Sequence, residues 1–235
     1  MICFPNAKIN LGLHVVEKRN DGYHNIETCF YPIPLKDALE IVPADDFSFT
    51  QMGLLLDSSP NDNLVMKVLN LFRQKYDVPP LSIYLKKSIP FGAGLGGGSS
   101  DAAFMIKLLN AYTSQNLSDE DLELMAGEIG ADCPFFIRNT PTFATGTGNI
   151  FDSIELALKG YTLCIIKPDL MISTKEAFSA IIPTKPSVPL REILQRPVIE
   201  WKEGLKNDFE TCIFQKYPVI AEIKAYLYAH EAVYA

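Results

Sequence analysis

Five glycines lie among residues 92–98, in the run Gly-Ala-Gly-Leu-Gly-Gly-Gly. Ser99 and Ser100 follow at once, and the residues after them place apolar side chains at helical spacing. Where side chains are missing, backbone N–H groups can converge on an anion, and the start of a helix adds partial positive charge. The segment therefore predicts a phosphate-binding loop, with a linker or a tight turn as the alternative interpretation.

The spacing within the loop narrows the kind of phosphate site. A Walker A loop needs Lys and then Ser or Thr after its last glycine, and no lysine follows Gly98. Gly92, Gly94 and Gly97 match the dinucleotide fingerprint, which also requires a strand with an acidic residue about 20 positions further on. Residues 118–121, Ser-Asp-Glu-Asp, have the pattern of a helix start instead. An NAD-dependent dehydrogenase is therefore disfavoured but stays an open alternative.

Two charged residues elsewhere in the chain could act on a group bound at the loop. Asp132 precedes Pro134, where a carboxylate either caps a short helix or acts as a base, or does both. Lys8 shares one face of a predicted strand with Asn10, and the small Gly12 leaves that face open. A lysine on such a face is often only solubilising, so its catalytic role is a hypothesis.

The elements that position these residues follow from hydrophobic periodicity. Apolar and polar residues alternate over residues 7–16, which predicts a half-buried strand with Lys8 and His14 on its solvent face. Residues 19–22 have the chemistry of a turn, and residues 23–31 predict a second strand. The N-terminal region is therefore expected to form a hairpin.

Further elements follow along the chain. The predicted helices are 63–76, 99–112, 118–130 with Gly130 as the residue that closes it, and 219–234, and the predicted strands are 81–85 and the buried run 161–166. Prolines between residues 182 and 197 predict irregular structure there. The sequence pattern changes near residues 150–160, and this change predicts a domain boundary there.

Composition excludes several classes of protein. The chain has 235 residues and a net charge of -7, so a broad nucleic-acid-binding face, which must be basic, is not expected. Its five cysteines are widely spaced without a C-x-x-C pair, which indicates neither a disulfide framework nor a zinc cluster and suits a reducing cytoplasm. No leader sequence and no apolar run of about 18 residues is present, so we expect a cytoplasmic protein with no membrane partner.

Three separated segments together resemble the GHMP kinases, a superfamily named for galactokinase, homoserine kinase, mevalonate kinase and phosphomevalonate kinase. They are residues 7–11, 90–100 and 130–134. Residues 21–24 (Asp-Gly-Tyr-His) and 207–210 (Asn-Asp-Phe-Glu) resemble the branch that acts on a cytidine-diphosphate-linked methylerythritol.

The resemblance implies a two-domain α+β fold. Residues 1–155 would form a ribosomal-protein-like N-terminal domain with the phosphate loop and the catalytic pair. Residues 156–235 would form a ferredoxin-like C-terminal domain. These kinases carry a third, Gly/Ser-rich motif near the C-terminus, and the chain stops where that motif would begin, so we expect a truncated C-terminal domain.

The resemblance also implies the reaction and its cofactors. ATP with Mg²⁺ would phosphorylate the 2-hydroxyl of 4-(cytidine 5′-diphospho)-2-C-methyl-D-erythritol, a step of non-mevalonate isoprenoid (terpenoid) synthesis. Asp132 would accept the hydroxyl proton, and Lys8 would orient the hydroxyl and stabilise charge. The residues implied to bind the nucleotide are Pro90, Phe91, Gly92, Ala93, Gly94, Leu95, Gly96, Gly97, Gly98, Ser99 and Ser100. No protein ligand of the metal is assigned.

Four further residues are implied to bind the substrate, a small molecule that carries a cytidine diphosphate. Asn10 would contact it, His24 would hydrogen-bond to the cytosine, Tyr23 would stack on the ring, and Phe178 would form the other side of the stack. Two alternatives stay open: a homoserine- or mevalonate-type kinase, and a non-catalytic RNA-binding relative with a similar N-terminal domain. The oligomeric state is left undetermined.

Overall fold

A computed structural model describes residues 1–54, 62–179 and 181–235. The strands in these residues are β1 (Ile2–Cys3), β2 (Asn6–Lys18), β3 (His24–Lys36), β4 (Ala38–Pro43), β5 (Ser48–Gly53), β6 (Leu81–Lys87), β7 (Thr142–Thr145) and β8 (Ile150–Ser153). The helices are α1 (Leu64–Lys75), α2 (Gly97–Tyr112), α3 (Asp119–Ile129), α4 (Phe135–Arg138), α5 (Thr174–Ser179), α6 (Leu190–Leu194), α7 (Trp201–Gly204), α8 (Phe209–Lys216) and α9 (Pro218–Ala229). The predicted α+β class is confirmed.

The chain groups into two compact units, and each consists of two separate runs of sequence. The first unit is residues 1–9 and 31–140, and the second is residues 10–30 and 141–235. Strands β2 and β3 therefore each contribute residues to both units. The grouping assigns residues 10–30 to the second unit, whereas the predicted division near residue 155 assigned them to the first domain. That domain boundary stays a prediction.

The first unit contains a four-stranded sheet in the order β1-β4-β6-β5, in which only β5 and β6 are parallel. Alternate residues of β6 face the core, which buries Leu81, Ile83 and Leu85. The same register also buries Lys87 at the end of β6. Helices α1 to α4 belong to this unit, and α1 and α2 pack against each other.

Lys87 lies between the carboxyl groups of Asp37 and Asp101, because an unpaired charge in the core would be costly. Its Nζ donates to a carboxylate oxygen of Asp37 and lies 2.6 Å from Asp101 Oδ2. Asp37 Oδ1 also accepts a hydrogen bond from the backbone N–H of Ile89 at 2.9 Å. This buried cluster joins the residues just before the glycine loop to Asp101, the fifth residue of α2.

In the second unit β7 pairs with β3 and β8 pairs with β7, both antiparallel, within a sheet of order β2-β3-β7-β8. Leu13, Val15 and Ile26 of the hairpin form a buried cluster against which Phe178 and Phe209 pack. Helices α5 to α9 belong to this unit. The described part of residues 156–235 contains helices and no strand, so the strands of a ferredoxin-like domain are not seen there.

Most predicted elements of the first 140 residues are confirmed. The hairpin forms as β2 and β3, and α1 and β6 match the predicted helix and strand. The capping box at Ser118 and Asp121 starts α3 as expected. Gly130 ends α3, although its φ of -178° is extended rather than the left-handed conformation of a glycine cap. Helix α2 begins two residues before the prediction, at Gly97 inside the glycine cluster.

The predicted solvent face of β2 is wrong. Lys8 and His14 are both buried, because Lys8 lies against the glycine loop and His14 lies beside Asp208. The expectation that Gly12 keeps this face open is also wrong. A Cβ at Gly12 would lie 2.5 Å from Leu190 Cδ1. The alternation of apolar residues shows which side chains pack inward, but not what covers the opposite face.

Three predictions in the second unit fail for identifiable reasons. The predicted strand 161–166 is absent and its apolar side chains are exposed, since in the described residues no strand pairs with it. Residues 182–197 are not wholly irregular: α6 forms between Pro189, at its N-cap, and Pro197 beyond its end. Helix α9 ends at Ala229 instead of residue 234, and the chain turns where Glu231 has a φ of 66°.

All five cysteines are free thiols. Cys29 and Cys133 are buried, and burial raises the pKa of Cys29 to about 12 and that of Cys133 to about 11. Cys164 is exposed. Across the described ranges 1–54, 62–179 and 181–235, no helix has both the length and the apolar character to span a membrane.

We expect Gly12→Ala to destabilise the fold. Gly12 has a φ of +66° and a Cβ there would overlap Leu190 and Leu205. Left-handed strain and overpacking together should lower the free energy of unfolding by about 2–4 kcal/mol. Gly22→Ala is the matched control, because Gly22 has a φ of +87° and open space around it. Urea titration would measure both, and equal losses in the two variants would contradict the packing argument.

We expect Asp101 to make stability depend on pH. Burial raises the pKa of Asp101 from 3.8 to about 7, and Lys87 only partly offsets this. Between these values the folded chain holds a proton that the unfolded chain has released, so the stability contributed by this group is lost as the pH rises from about 4 to 7. Asp101→Asn should therefore flatten the decline of the melting temperature over that range.

The control for this pH profile is Asp77→Asn, which removes an exposed carboxylate of the same unit. Its melting temperature should follow that of the wild type at every pH. A wild-type slope retained in Asp101→Asn would show that this carboxyl group does not titrate as described.

Candidate active site

The glycine loop connects the buried Lys87 cluster to α2. Within it Gly92, Gly94 and Gly96 all have positive φ, and α2 starts at Gly97. The first intrahelical bond runs from Ser100 N–H to Gly96 O at 2.9 Å. The preceding N–H groups of the helix have no partner within it, and the helix dipole favours an anion at this end. The loop therefore has the backbone geometry of a phosphate site.

Lys8 is packed directly against this loop. Its backbone N–H donates to Leu95 O at 2.9 Å. A Cβ at Gly96 would lie 2.9 Å from Phe136 Cζ and 3.1 Å from Lys8 Cγ, so the position has no room for a side chain. The φ of +68° at Gly96 also favours glycine. Strand β2 and the loop are thus held at fixed distance by Lys8 itself.

The side-chain amine of Lys8 faces the carboxylate of Asp132. Lys8 Nζ lies 3.6 Å from Asp132 Oδ2, and the Lys8 side chain is 7% exposed while that of Asp132 is 39% exposed. Burial lowers the pKa of Lys8, and the neighbouring carboxylate of Asp132 raises it in part. The pair can therefore present a carboxylate to solvent with an ammonium behind it.

Asp132 does not cap a helix. Pro134 occupies the N-cap of α4, and no side chain caps that helix. Burial raises the pKa of the neighbouring Cys133 thiol, and the side chain of Ser99, in the first turn of α2, lowers it in part. Of the two interpretations of this carboxylate, capping is therefore wrong, and the segment that carries it lies against the helix that begins at the loop.

The other implied binding residues lie in the second unit. The rings of His24 and Phe178 are stacked with centroids 5.0 Å apart and planes at 17°. The side chain of Asn10 donates to Thr28 Oγ1 at 3.0 Å. Tyr23 is 67% exposed beside the turn. In this structure Phe178 therefore stacks on His24, the residue expected to hydrogen-bond, and not on Tyr23, the residue expected to stack.

The sequence interpretation missed the charges that hold the loop. Lys87, Asp37 and Asp101 were not singled out, although the register of β6 places Lys87 among the buried residues. Such a lysine signals that buried carboxylates must be nearby, but not which ones.

A magnesium ion would find oxygen ligands at the start of α2. The hydroxyl of Ser100 and Oδ1 of Asp101 are buried without a hydrogen-bond partner, and oxygen is the donor that Mg²⁺ prefers. Within the part of the chain that is described, no three His, Cys, Asp or Glu side chains converge as a metal cage. A small number of protein ligands is typical of a Mg²⁺ ion that is bound mainly through phosphates.

Comparison with known proteins identifies the family. Residues 63–140 match the family model described as the GHMP kinases N terminal domain. The chain is 59% identical over 235 residues to 4-diphosphocytidyl-2-C-methyl-D-erythritol kinase of Parabacteroides distasonis. The alignment covers 100% of this chain and 87% of that protein. The chain is 57% identical over 239 residues to the kinase of the same name from Bacteroides fragilis, with the same coverage.

A solved structure agrees with these relatives. The crystal structure of a 4-(cytidine 5′-diphospho)-2C-methyl-D-erythritol kinase superimposes with a TM-score of 0.80 at 29% identity, and covers 97% of this chain and 83% of that one. Together with the glycine loop and the Lys8–Asp132 pair, these similarities show that the chain belongs to the 4-diphosphocytidyl-2-C-methyl-D-erythritol kinase family of the GHMP kinases.

Proposed function

We propose that this chain transfers the γ-phosphoryl group of ATP to the 2-hydroxyl of 4-(cytidine 5′-diphospho)-2-C-methyl-D-erythritol, a step of non-mevalonate isoprenoid synthesis in the cytoplasm. The observation that carries the proposal is the Lys8–Asp132 pair, 3.6 Å apart, in which Lys8 lies on a strand bonded to the glycine loop. The names of the relatives supply the substrate.

The loop of residues 90–100 would bind the triphosphate of ATP. Its positive-φ glycines and the N-terminal N–H groups of α2 offer donors without side chains in the way. Magnesium, when bound with the nucleotide, neutralises charge on the β- and γ-phosphate oxygens. The hydroxyl of Ser100, which is buried without a hydrogen-bond partner at the start of α2, would contribute an oxygen ligand to it.

Asp132 would accept the proton of the attacking hydroxyl as its oxygen bonds to the γ-phosphorus and the bond to ADP breaks. Phosphoryl transfer depends chiefly on positioning and charge stabilisation, so a partly exposed carboxylate is an adequate base. The ammonium of Lys8 would orient the hydroxyl and offset negative charge as it develops. ADP and the phosphorylated methylerythritol derivative leave as products.

The second unit would recognise the cytidine. The His24 ring can hydrogen-bond to the cytosine edge, while Tyr23 is exposed and has an aromatic face available for stacking. Phe178 supports the His24 ring from one side, which fixes its plane. Asn10, held by Thr28, would contact the substrate through its amide.

A coupled ADP-release assay tests the substrate. The cytidine-containing alcohol, homoserine and mevalonate are supplied separately with ATP and Mg²⁺, and we expect turnover with the first alone. Turnover with homoserine or mevalonate, and none with the cytidine compound, would contradict the proposed specificity.

We expect Asp132→Asn and Lys8→Met each to lower kcat by at least about 100-fold, because each removes a group that acts on the transferring proton or charge. The KM for ATP should change little, since the loop amides stay in place. Steady-state kinetics with each substrate varied in turn would measure both constants.

Matched controls are Asp77→Asn and Lys67→Met, which change exposed residues of the same unit. Both controls should keep wild-type kinetics. Circular dichroism checks that Lys8→Met still folds. Near-normal kcat in folded Asp132→Asn and Lys8→Met would refute the assigned roles.

A further inference from the structure

The start of α8 is fastened to strand β2 through one residue, Asp208. Its Oδ2 accepts the backbone N–H of Val15 at 2.7 Å, and its own N–H donates to Leu13 O at 2.8 Å. Its Oδ1 lies 3.3 Å from His14 Nδ1. Asp208 therefore contacts three consecutive residues of the strand, which fixes both the position and the direction in which α8 begins.

Helix α8 in turn holds the short helix α5. The Cys212 thiol lies 3.7 Å from Ala177 O, and Lys216 Nζ lies 2.6 Å from Glu176 Oε1. Tyr217, next after α8, donates its hydroxyl to the same carboxylate at 2.7 Å. A six-residue helix is too short to be stable alone, so these contacts determine where α5 lies.

Phe178 of α5 lies between two rings. Phe209, the first residue of α8, meets it edge-on with centroids 4.8 Å apart and planes at 84°. On the other side Phe178 is stacked on His24, 5.0 Å away. Phe209 therefore supports the ring on which His24 lies. An unbroken series of contacts thus runs from Asp208 to His24.

We propose that Asp208 and Phe209 are positioning residues that hold the His24–Phe178 ring pair and so set the affinity for the cytidine part of the substrate. The proposal rests on the proposed function, because that function assigns cytosine recognition to His24. Neither residue need touch the substrate. Asp208 sets the start of α8, and Phe209 transmits that position to Phe178 through an edge-to-face contact.

The test is Phe209→Leu, compared with Phe214→Leu in the same helix. The ring centroid of Phe214 lies 6.0 Å from Lys224 Nζ, and this residue serves as the matched control. We expect Phe209→Leu to raise the KM for the cytidine substrate about tenfold, the equivalent of one lost aromatic pair. The KM for ATP and kcat should stay within about twofold, and Phe214→Leu should behave as wild type.

A second pair of variants keeps the test decisive if Phe209→Leu does not fold. Asp208→Asn keeps an oxygen acceptor for the Val15 N–H and should raise the KM for the cytidine substrate less than Asp208→Ala does. A KM unchanged in Phe209→Leu, or equal in Asp208→Asn and Asp208→Ala, would overturn the proposal. A fall in kcat with no change in KM would also overturn it.

The affinity for cytidine 5′-diphosphate, measured by calorimetry, tests this proposal separately from the proposed function. If the wild type lacks kinase activity with the cytidine substrate, the proposed function is wrong. The positioning role is then tested by the calorimetry alone. Weaker binding to Phe209→Leu, together with faster amide exchange in α5, would support the role. Equal binding and exchange in Phe209→Leu and wild type, or no binding to either, would refute it.

Discussion

A buried lysine between two carboxylates determines where the glycine loop lies. Lys87 is placed in the core by the alternation of β6, and there its charge is held between the carboxyl groups of Asp37 and Asp101. Asp37 also accepts the N–H of Ile89, just before the loop, and Asp101 is the fifth residue of the helix after it. Both ends of a loop with many glycines are therefore fixed, although its own residues have little intrinsic preference for one conformation.

The position of Lys8 depends on that fixed loop, and its amine adds a reactive charge to the site. Its backbone bonds to Leu95, its methylene stem fills the space that a side chain at Gly96 would need, and its amine faces Asp132. The same residue thus joins the strand to the loop and supplies the charge beside the carboxylate. A site of this kind is sensitive to small shifts of Lys8, because this one residue contacts both the loop and the carboxylate.

The local part of this arrangement was predictable from sequence. Periodicity predicted β2, β3 and α1, the capping pattern predicted α3, and the glycine spacing predicted the loop, because these signals lie within a few neighbouring residues. Asp132 and Lys8 were also identified as a pair, through the resemblance to a family. The burial of Lys8 and His14 was not predictable, since Leu95 and Asp208, which cover them, are distant in sequence.

The same limit explains the errors in the second unit. Residues 161–166 have the composition of a buried strand, but a strand forms only where another strand offers its hydrogen bonds, and none does so in the described residues. The ring series from Phe209 to His24 likewise joins three segments whose individual patterns are ordinary. Only the short motif at residues 207–210 indicated that this part of the chain has a role in the function.

The unequal burial of the thiols makes this chain suited to labelling with alkylating reagents. Such reagents attack the thiolate, which burial suppresses at Cys29 and Cys133 by raising their pKa values to about 12 and about 11. Cys164 is exposed and lies outside the residues assigned to either binding region. A fluorophore can therefore be attached at Cys164 in the native state, while modification of Cys133, one residue from Asp132, reports that the folded structure has opened.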